Sequence, residues 1–186
     1  RKRYVILVGR MLIDKGVKEF VLAAKELKKE FTDVSFILVG TLDSDNPGAI
    51  RRETLEQWAD QGDIEWWGPR TDMLSVYHAA EIVCLPSYRE GLPKVLLEAA
   101  SCGVPMVATD VPGCREICVN DRTGLSTQPR DVEGLVKALR KMLSDEKIRK
   151  EFGNNARALI EEKYSLQVVA EQTACFYQRV LNTDVD

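Results

Sequence analysis

A chain of 186 residues, 45% apolar and 30% charged, can bury one core and has the composition of a globular domain, neither disordered nor fibrous. Its formal charge of −3, with no basic block beyond Arg1-Lys2-Arg3, argues against nucleic acid as the main partner. Nothing in it is long and apolar enough to span a bilayer, and no signal peptide is visible.

The elements alternate along the chain. "YVILVG" (4–9) is a continuous apolar run ending in glycine, and only three residues precede it, which suits a piece cut from something larger. Residues 16–31 place Val17, Phe20, Val21, Ala24, Leu27 and Phe31 at helical spacing. "VSFILVG" (34–40) repeats the strand-glycine ending, and Pro47-Gly48 is expected to open a helix running to about Ala59. "DIEWWG" (63–68) reads as a short strand, Thr71-Asp72 as the cap of a helix through Ala80, and "IVCLP" (82–86) as a strand. A helix from Pro93 to Ser101, the strand "PMVATD", the strand "TGLST" and helices over 131–143, 146–162 and 165–181 complete the chain. Val132, Leu135, Val136, Leu139 and Leu143 form one apolar stripe. Solid apolar strands, each followed by a helix, indicate one α/β domain: a Rossmann-like, doubly wound parallel sheet. Ligands of such sheets bind beyond the carboxyl ends of the strands.

Two stretches there can carry chemistry. The first strand ends in "VGRMLIDKG", which places Arg10 and Lys15 in the loop beyond it, a planar fork and a compact cation suited to a diphosphate. Solvated loop charges are the plain alternative. The second stretch is "PSYREGLPKVLLEAASCGVPMVATDVPG" (86–113), with Glu90 and Glu98 around a Gly-x-Pro turn. Pro93 suits the first helical position, and Gly91 lets a ligand approach the backbone. The amides of residues 92–95 (Leu92, Pro93, Lys94 and Val95, proline excepted) then face an anion. Glu98 follows about 7 Å along the axis, at 1.5 Å per residue. There it can take the paired hydroxyls of a sugar while the amides hold the phosphates, and Glu90 can hold a second polyol. The plain alternative for Glu98 is an exposed helix glutamate, but Val95, Leu96, Leu97, Ala99 and Ala100 around it favour a mostly buried helix, where a carboxylate needs partners.

Other features carry less. "DSD" (43–45) has the form of a metal-chelating pair but lies in a run of turn formers and reads as a loop or cap. "GNNARALI" (153–160) reads as a helix start and His78 as structural. Cys84, Cys102, Cys114, Cys118 and Cys175 include no C-x-x-C pair, and one histidine supplies a zinc site poorly. Four of the five lie in apolar or helix-end contexts, so a reduced, cytoplasmic protein is expected. A dinucleotide-binding Gly-x-Gly-x-x-Gly after a strand and a P-loop are both missing.

"VGRMLIDKGVKEF", "FILVG", "PSYREGLPKVLLEAASCGVPMVATDVPGCREI" and "DRTGLSTQPRDVEGL", in this order, resemble the carboxyl-terminal half of retaining glycosyltransferases of family 4, two-domain GT-B enzymes. The variant is similar to the bacterial branch that builds capsule, O-antigen and related surface polysaccharides. The resemblance implies a nucleotide-sugar donor, with a UDP-sugar expected, and transfer with retention and no metal. It implies that Arg10 and Lys15 bind the donor diphosphate, that Glu90 contacts the donor sugar and that Glu98 binds the ribose. By the same resemblance Gly9 and the backbone of Gly91, Leu92, Pro93, Lys94 and Val95 lie against the donor, and Gly68 and Arg70 lie near the base. Many members have Phe-Gly where Leu92-Pro93 stands, so one amide donor is missing here. The acceptor-binding amino-terminal domain is expected to be absent, with the last helix packing towards it and the chain inactive alone. Contact with a membrane is then indirect, at its inner face, through the acceptor or that missing domain. A nucleotide-sugar epimerase, a phosphorylase and a non-catalytic nucleotide-sugar module are the competing readings. The first lacks acid/base groups beyond Glu90 and the second a recognisable pyridoxal lysine.

Overall fold

The structure, a computed structural model, describes residues 2–183. Its strands are β1 (Arg3–Val8), β2 (Val34–Val39), β3 (Glu65–Trp66), β4 (Ala80–Leu85), β5 (Met106–Thr109) and β6 (Gly124–Thr127). Its helices are α1 (Val17–Leu27), α2 (Arg52–Asp60), α3 (Met73–Ala79), α4 (Lys94–Ser101), α5 (Pro112–Arg115), α6 (Val132–Ser144), α7 (Glu146–Lys163) and α8 (Leu166–Thr183). The strands form one six-stranded sheet in the order β3-β2-β1-β4-β5-β6, and every pairing is parallel. This is the expected doubly wound, Rossmann-like α/β fold.

Alternation along the strands separates two packed layers. Val5 and Leu7 of β1 and Phe36 and Leu38 of β2 join Phe20 of α1, Leu55 of α2 and Leu139 of α6 on one face. Ile6, Ile37, Val83 and Leu85 turn to the other, where α3, α4, α5 and α7 lie. Phe20 and Phe36 meet edge to face with centroids 5.7 Å apart, and burying such a ring fully is worth about 1.5–3 kcal/mol. The stripe of α6 is buried as its period predicts, apart from the half-buried Val132 at its start. Asp131 caps that helix by accepting from the Gly134 amide at 2.8 Å.

Several boundaries differ from the sequence reading. Helix α1 stops at Leu27, leaving Phe31 just past the turn that follows, where it still packs on the core. No helix opens at Pro47-Gly48: α2 starts at Arg52. The preceding segment instead ties back to the β1 loop, with Ile13 N donating to Gly48 O and Ile50 N to Met11 O, both at 2.9 Å. Asp72 flanks α3, but its side chain does not cap it, because both carboxylate oxygens take Arg70. Gly153 sits inside α7 rather than at a helix start; a side chain there would strike the Gly103 carbonyl. The short helix α5 was not foreseen.

Candidate functional site

The strand order reverses between β1 and β4: β2 and β3 follow on one side of β1, while β4 to β6 follow on the other. The loops leaving β1 and β4 therefore meet over a crevice at the carboxyl edge. They are joined by backbone. The Asp14 carbonyl accepts from Tyr88 N at 2.8 Å and from Ser87 Oγ at 3.0 Å. Gly16 has φ 70°, and a Cβ there would collide with the Pro86 carbonyl. Glycine thus permits both the left-handed turn and the contact between loops.

This contact brings Lys15 to Glu90. The ammonium donates to Oε1 at 2.6 Å, with the side chains 21% and 13% exposed. The pair is enclosed by the fold yet reachable from the crevice. Beneath it, the start of α5 presses on the Glu90-Gly91 backbone, and a Cβ on Gly113 would strike both carbonyls. Thr109 Oγ1 donates to the Ser87 carbonyl and holds the loop from the β5 side. Burial pushes the Cys114 thiol up to about 12, with the Glu90 charge adding to the rise and Thr109 and Lys15 opposing it. Cys114 is therefore a neutral packing group under the pair.

Helix α4 begins one residue later than expected. Pro93 has φ −72° and ψ 110° and stands at the cap position, not the first helical one. Its missing N–H therefore lies outside the helix. Lys94 and Val95 supply the leading amides, while Leu96 N already bonds Pro93 O at 3.0 Å. Gly91 has open space around it, and Leu92 is exposed. Glu98 lies one turn on, half-buried, with Oε2 accepting from Tyr77 Oη at 2.7 Å and Oε1 3.5 Å from Lys94 Nζ. Burial first, and then the Glu98 carboxylate, raise the Tyr77 phenol above its ordinary range. Tyr77 is a neutral donor that orients Glu98.

The other predicted residues spread outward. Arg10 does not share a partner with Lys15: it binds Asp43 at 2.7 Å, where the side chains are 56% and 29% exposed. The "DSD" run set aside as turn-forming thus supplies the counter-charge of Arg10. Gly9 closes the strand end, its amide on Val39 O at 2.9 Å. Gly68 and Pro69 line a cavity of about 880 Å³ together with Thr41, Leu42, Arg51 and Trp66. Arg70, next along, donates to both Asp72 oxygens at 2.7 and 2.6 Å and lies over the Trp67 ring. His78 is an exposed residue of α3. Among the described residues no cluster of His, Cys, Asp or Glu side chains could hold a metal ion.

The fold therefore pairs Lys15 with Glu90 in the loop that leads into α4, sets the leading α4 amides and then Glu98 after that loop, lines a separate cavity with Gly68 and leaves Arg10 exposed on Asp43. Sequence reasoning missed Tyr77, Asp43, Ser87 and Gly113. For Gly113 a signal was present, since the second Gly/Pro turn had no reason of its own. Tyr77 and Asp43 reach the site only through packing between elements.

Residues 1–159 match the family described as glycosyl transferases group 1. The N,N'-diacetylbacillosaminyl-diphospho-undecaprenol alpha-1,3-N-acetylgalactosaminyltransferase of Campylobacter jejuni is 34% identical over 181 residues, 97% of this chain and 46% of that protein. The solved C-terminal domain of a glycosyl transferase group 1 family protein from Francisella tularensis superposes with a TM-score of 0.79 at 26% identity, covering 89% of this chain and 88% of that one. Anabaena HepE, solved in complex with UDP, gives a TM-score of 0.84 at 22% identity over 96% of this chain and 49% of that one. The chain spans about half the length of the curated relatives it matches, and its structural neighbours include GT-B glycosyltransferases covered over about half their chains.

Proposed function

Because the chain belongs to the group 1 glycosyl transferases, we propose that it is the donor-binding half of a retaining GT-B enzyme. In this reading the enzyme moves a sugar from a nucleotide-sugar to a glycan or lipid-linked acceptor in surface polysaccharide synthesis. The observation that carries this is the Lys15–Glu90 pair, enclosed at the switch point of the sheet beside the leading amides of α4.

Each group then has a task in the donor complex. The diphosphate takes Lys15 away from Glu90 and sits on the amides of Lys94 and Val95, with Arg10 closing from the rim. Glu90, released, accepts from hydroxyls of the donor sugar, and Glu98, held by Tyr77, accepts from the ribose. The base occupies the cavity at Gly68 and Pro69. As the bond from the anomeric carbon to the diphosphate breaks, negative charge grows on the leaving oxygen and meets fixed cations and amides that need no reorganisation. These groups supply the stabilisation without a metal. The acceptor attacks on the face from which the diphosphate leaves, and Glu90 forms no covalent bond. UDP is the favoured nucleotide, from the UDP bound to HepE; a lipid-linked acceptor follows the Campylobacter relative's name. Helix α8, which exposes Leu166, Val169, Phe176 and Tyr177, is the surface for the acceptor domain. None of the helices among the described residues is long and apolar enough to cross a membrane.

Calorimetric titration with UDP, GDP and ADP, repeated on Glu98→Ala, tests the assignment. One nucleotide should bind best, and the variant should lose about tenfold, the worth of a charge-assisted hydrogen bond. Equal nucleotide binding by the parent chain and Glu98→Ala would remove Glu98 from the ribose site. Sugar transfer by this chain alone would refute its role as a half-enzyme.

A further inference from the structure

A second cavity of about 490 Å³ opens on the carboxyl edge, lined among others by Arg10, Asp14, Tyr88, Arg89 and Arg130. It is formed by loops feeding α1, α2 and α6 together with the β4 loop, so it lies towards the sheet face opposite α4. Three arginines line one small volume, and their charge is incompletely compensated there. Arg10 has Asp43; Arg89 is 3.8 Å from Asp14 and largely exposed. Arg130 is held over the Tyr88 ring at 4.6 Å and has no ion pair among the described residues. Its backbone is in the left-handed region at φ 66°, which a bulky residue rarely adopts and which is over-represented at ligand sites.

The platform under these arginines is built from buried polar atoms with capacity to spare. Tyr88 Oη donates to Glu19 Oε1 at 2.7 Å. Glu19 is only 8% exposed, and its Oε2, like Oδ1 of Asp14, has no hydrogen-bond partner. Burial raises the Tyr88 phenol, Glu19 adds to the rise and Arg130 opposes it, so the ring stays neutral as a rest for the cation.

We infer that Arg89 and Arg130, with Arg10 at the shared rim, form a second anion site, distinct from the α4 cradle, that takes a phosphate or diphosphate borne by the sugar acceptor. Guanidinium groups fit that chemistry because each presents paired donors to a phosphate, and Asp14 adds an acceptor for a neighbouring hydroxyl. Only the naming of the bearer as acceptor rests on the function proposed above; the anion site stands on the cavity itself.

The test is a titration of the chain with inorganic pyrophosphate in saturating UDP. It is repeated on the double variant Arg89→Gln, Arg130→Gln and on the double lysine variant Arg89→Lys, Arg130→Lys. Pyrophosphate should bind beside UDP, and the glutamine variant should lose about tenfold or more while the lysine variant regains part of it. UDP affinity should stay within about twofold in both, since these residues lie outside the donor site. Pyrophosphate that binds only by displacing UDP, or binds the glutamine variant equally well, overturns the inference. Should UDP fail to bind, the donor assignment falls, yet pyrophosphate binding that depends on Arg89 and Arg130 still upholds the anion site. Geranyl diphosphate and glucose 6-phosphate then identify the bearer. Tighter binding of the first assigns a lipid-linked acceptor and of the second a free sugar phosphate; binding of neither refutes an acceptor role.

Discussion

The two edges of the sheet handle charge in opposite ways. At the amino edge Glu81 accepts from Arg3 at 2.6 Å and from Arg149 at 2.8 Å. Both arginines also donate to the carbonyl of Leu143, and Arg149 to that of Met142. That network closes on itself and fastens the junction of α6 and α7 to β1 and β4. At the carboxyl edge Lys15 and Glu90 share one bond, and the buried oxygens without a partner, on Asp14, Glu19 and Thr127, all lie at the strand ends or in the loops and first helical turn beyond. Satisfied buried charge fixes a fold, whereas unspent hydrogen-bonding capacity in a crevice calls for an explanation. In the reading proposed above, hydroxyls of a bound ligand supply it.

Substitutions can break this contrast. Arg149→Met removes one arm of the closed network and leaves Glu81 underpaired. It should cost about 3 kcal/mol in denaturant unfolding, the lower end for breaking a buried pair because Glu81 keeps some solvent, with nucleotide affinity unchanged. Lys15→Met leaves Glu90, 13% exposed, without its ion-pair partner and should also cost about 3 kcal/mol, but unlike Arg149→Met it should lower UDP affinity by about 10- to 100-fold in titration. Stability loss without binding loss at Lys15 would put that pair in the same class as the amino edge.

Smaller effects sharpen the contrast. Arg10→Ala should weaken UDP about threefold, and the loss should shrink as salt is raised, because its guanidinium sits at the exposed rim. The thiol of Cys114, raised to about 12 from an unfolded value of 9.0, contributes stability that is complete below pH 9. That contribution is lost as pH climbs towards 12. Denaturant midpoints should therefore fall in that alkaline window, and Cys114→Ala should flatten the fall slightly.

The same contrast marks what the sequence revealed. Apolar runs and helical periods located every strand and the long helices, because burial on each face is written into neighbouring residues. Glu90, Glu98 and Lys15 were legible as a motif at strand ends. Their partners were not. Tyr77 meets Glu98 across 21 residues and Arg10 meets Asp43 across 33, distances set by the packing of α3 and by the turn after β2 rather than by spacing. The start of α2 was misread because Pro-Gly is equally a turn, and tertiary bonds to the β1 loop decide for the turn. Pro93 was placed one residue too far into the helix, since fixed φ suits the cap as well as the first turn.

The structure of this chain with UDP bound is the most direct measurement. Lys15 Nζ should lie about 3 Å from a phosphate oxygen and apart from Glu90, with the amides of Lys94 and Val95 on the same diphosphate and Glu98 on the ribose. A diphosphate bound elsewhere, with Lys15 still on Glu90, would contradict the donor site placed at this crevice.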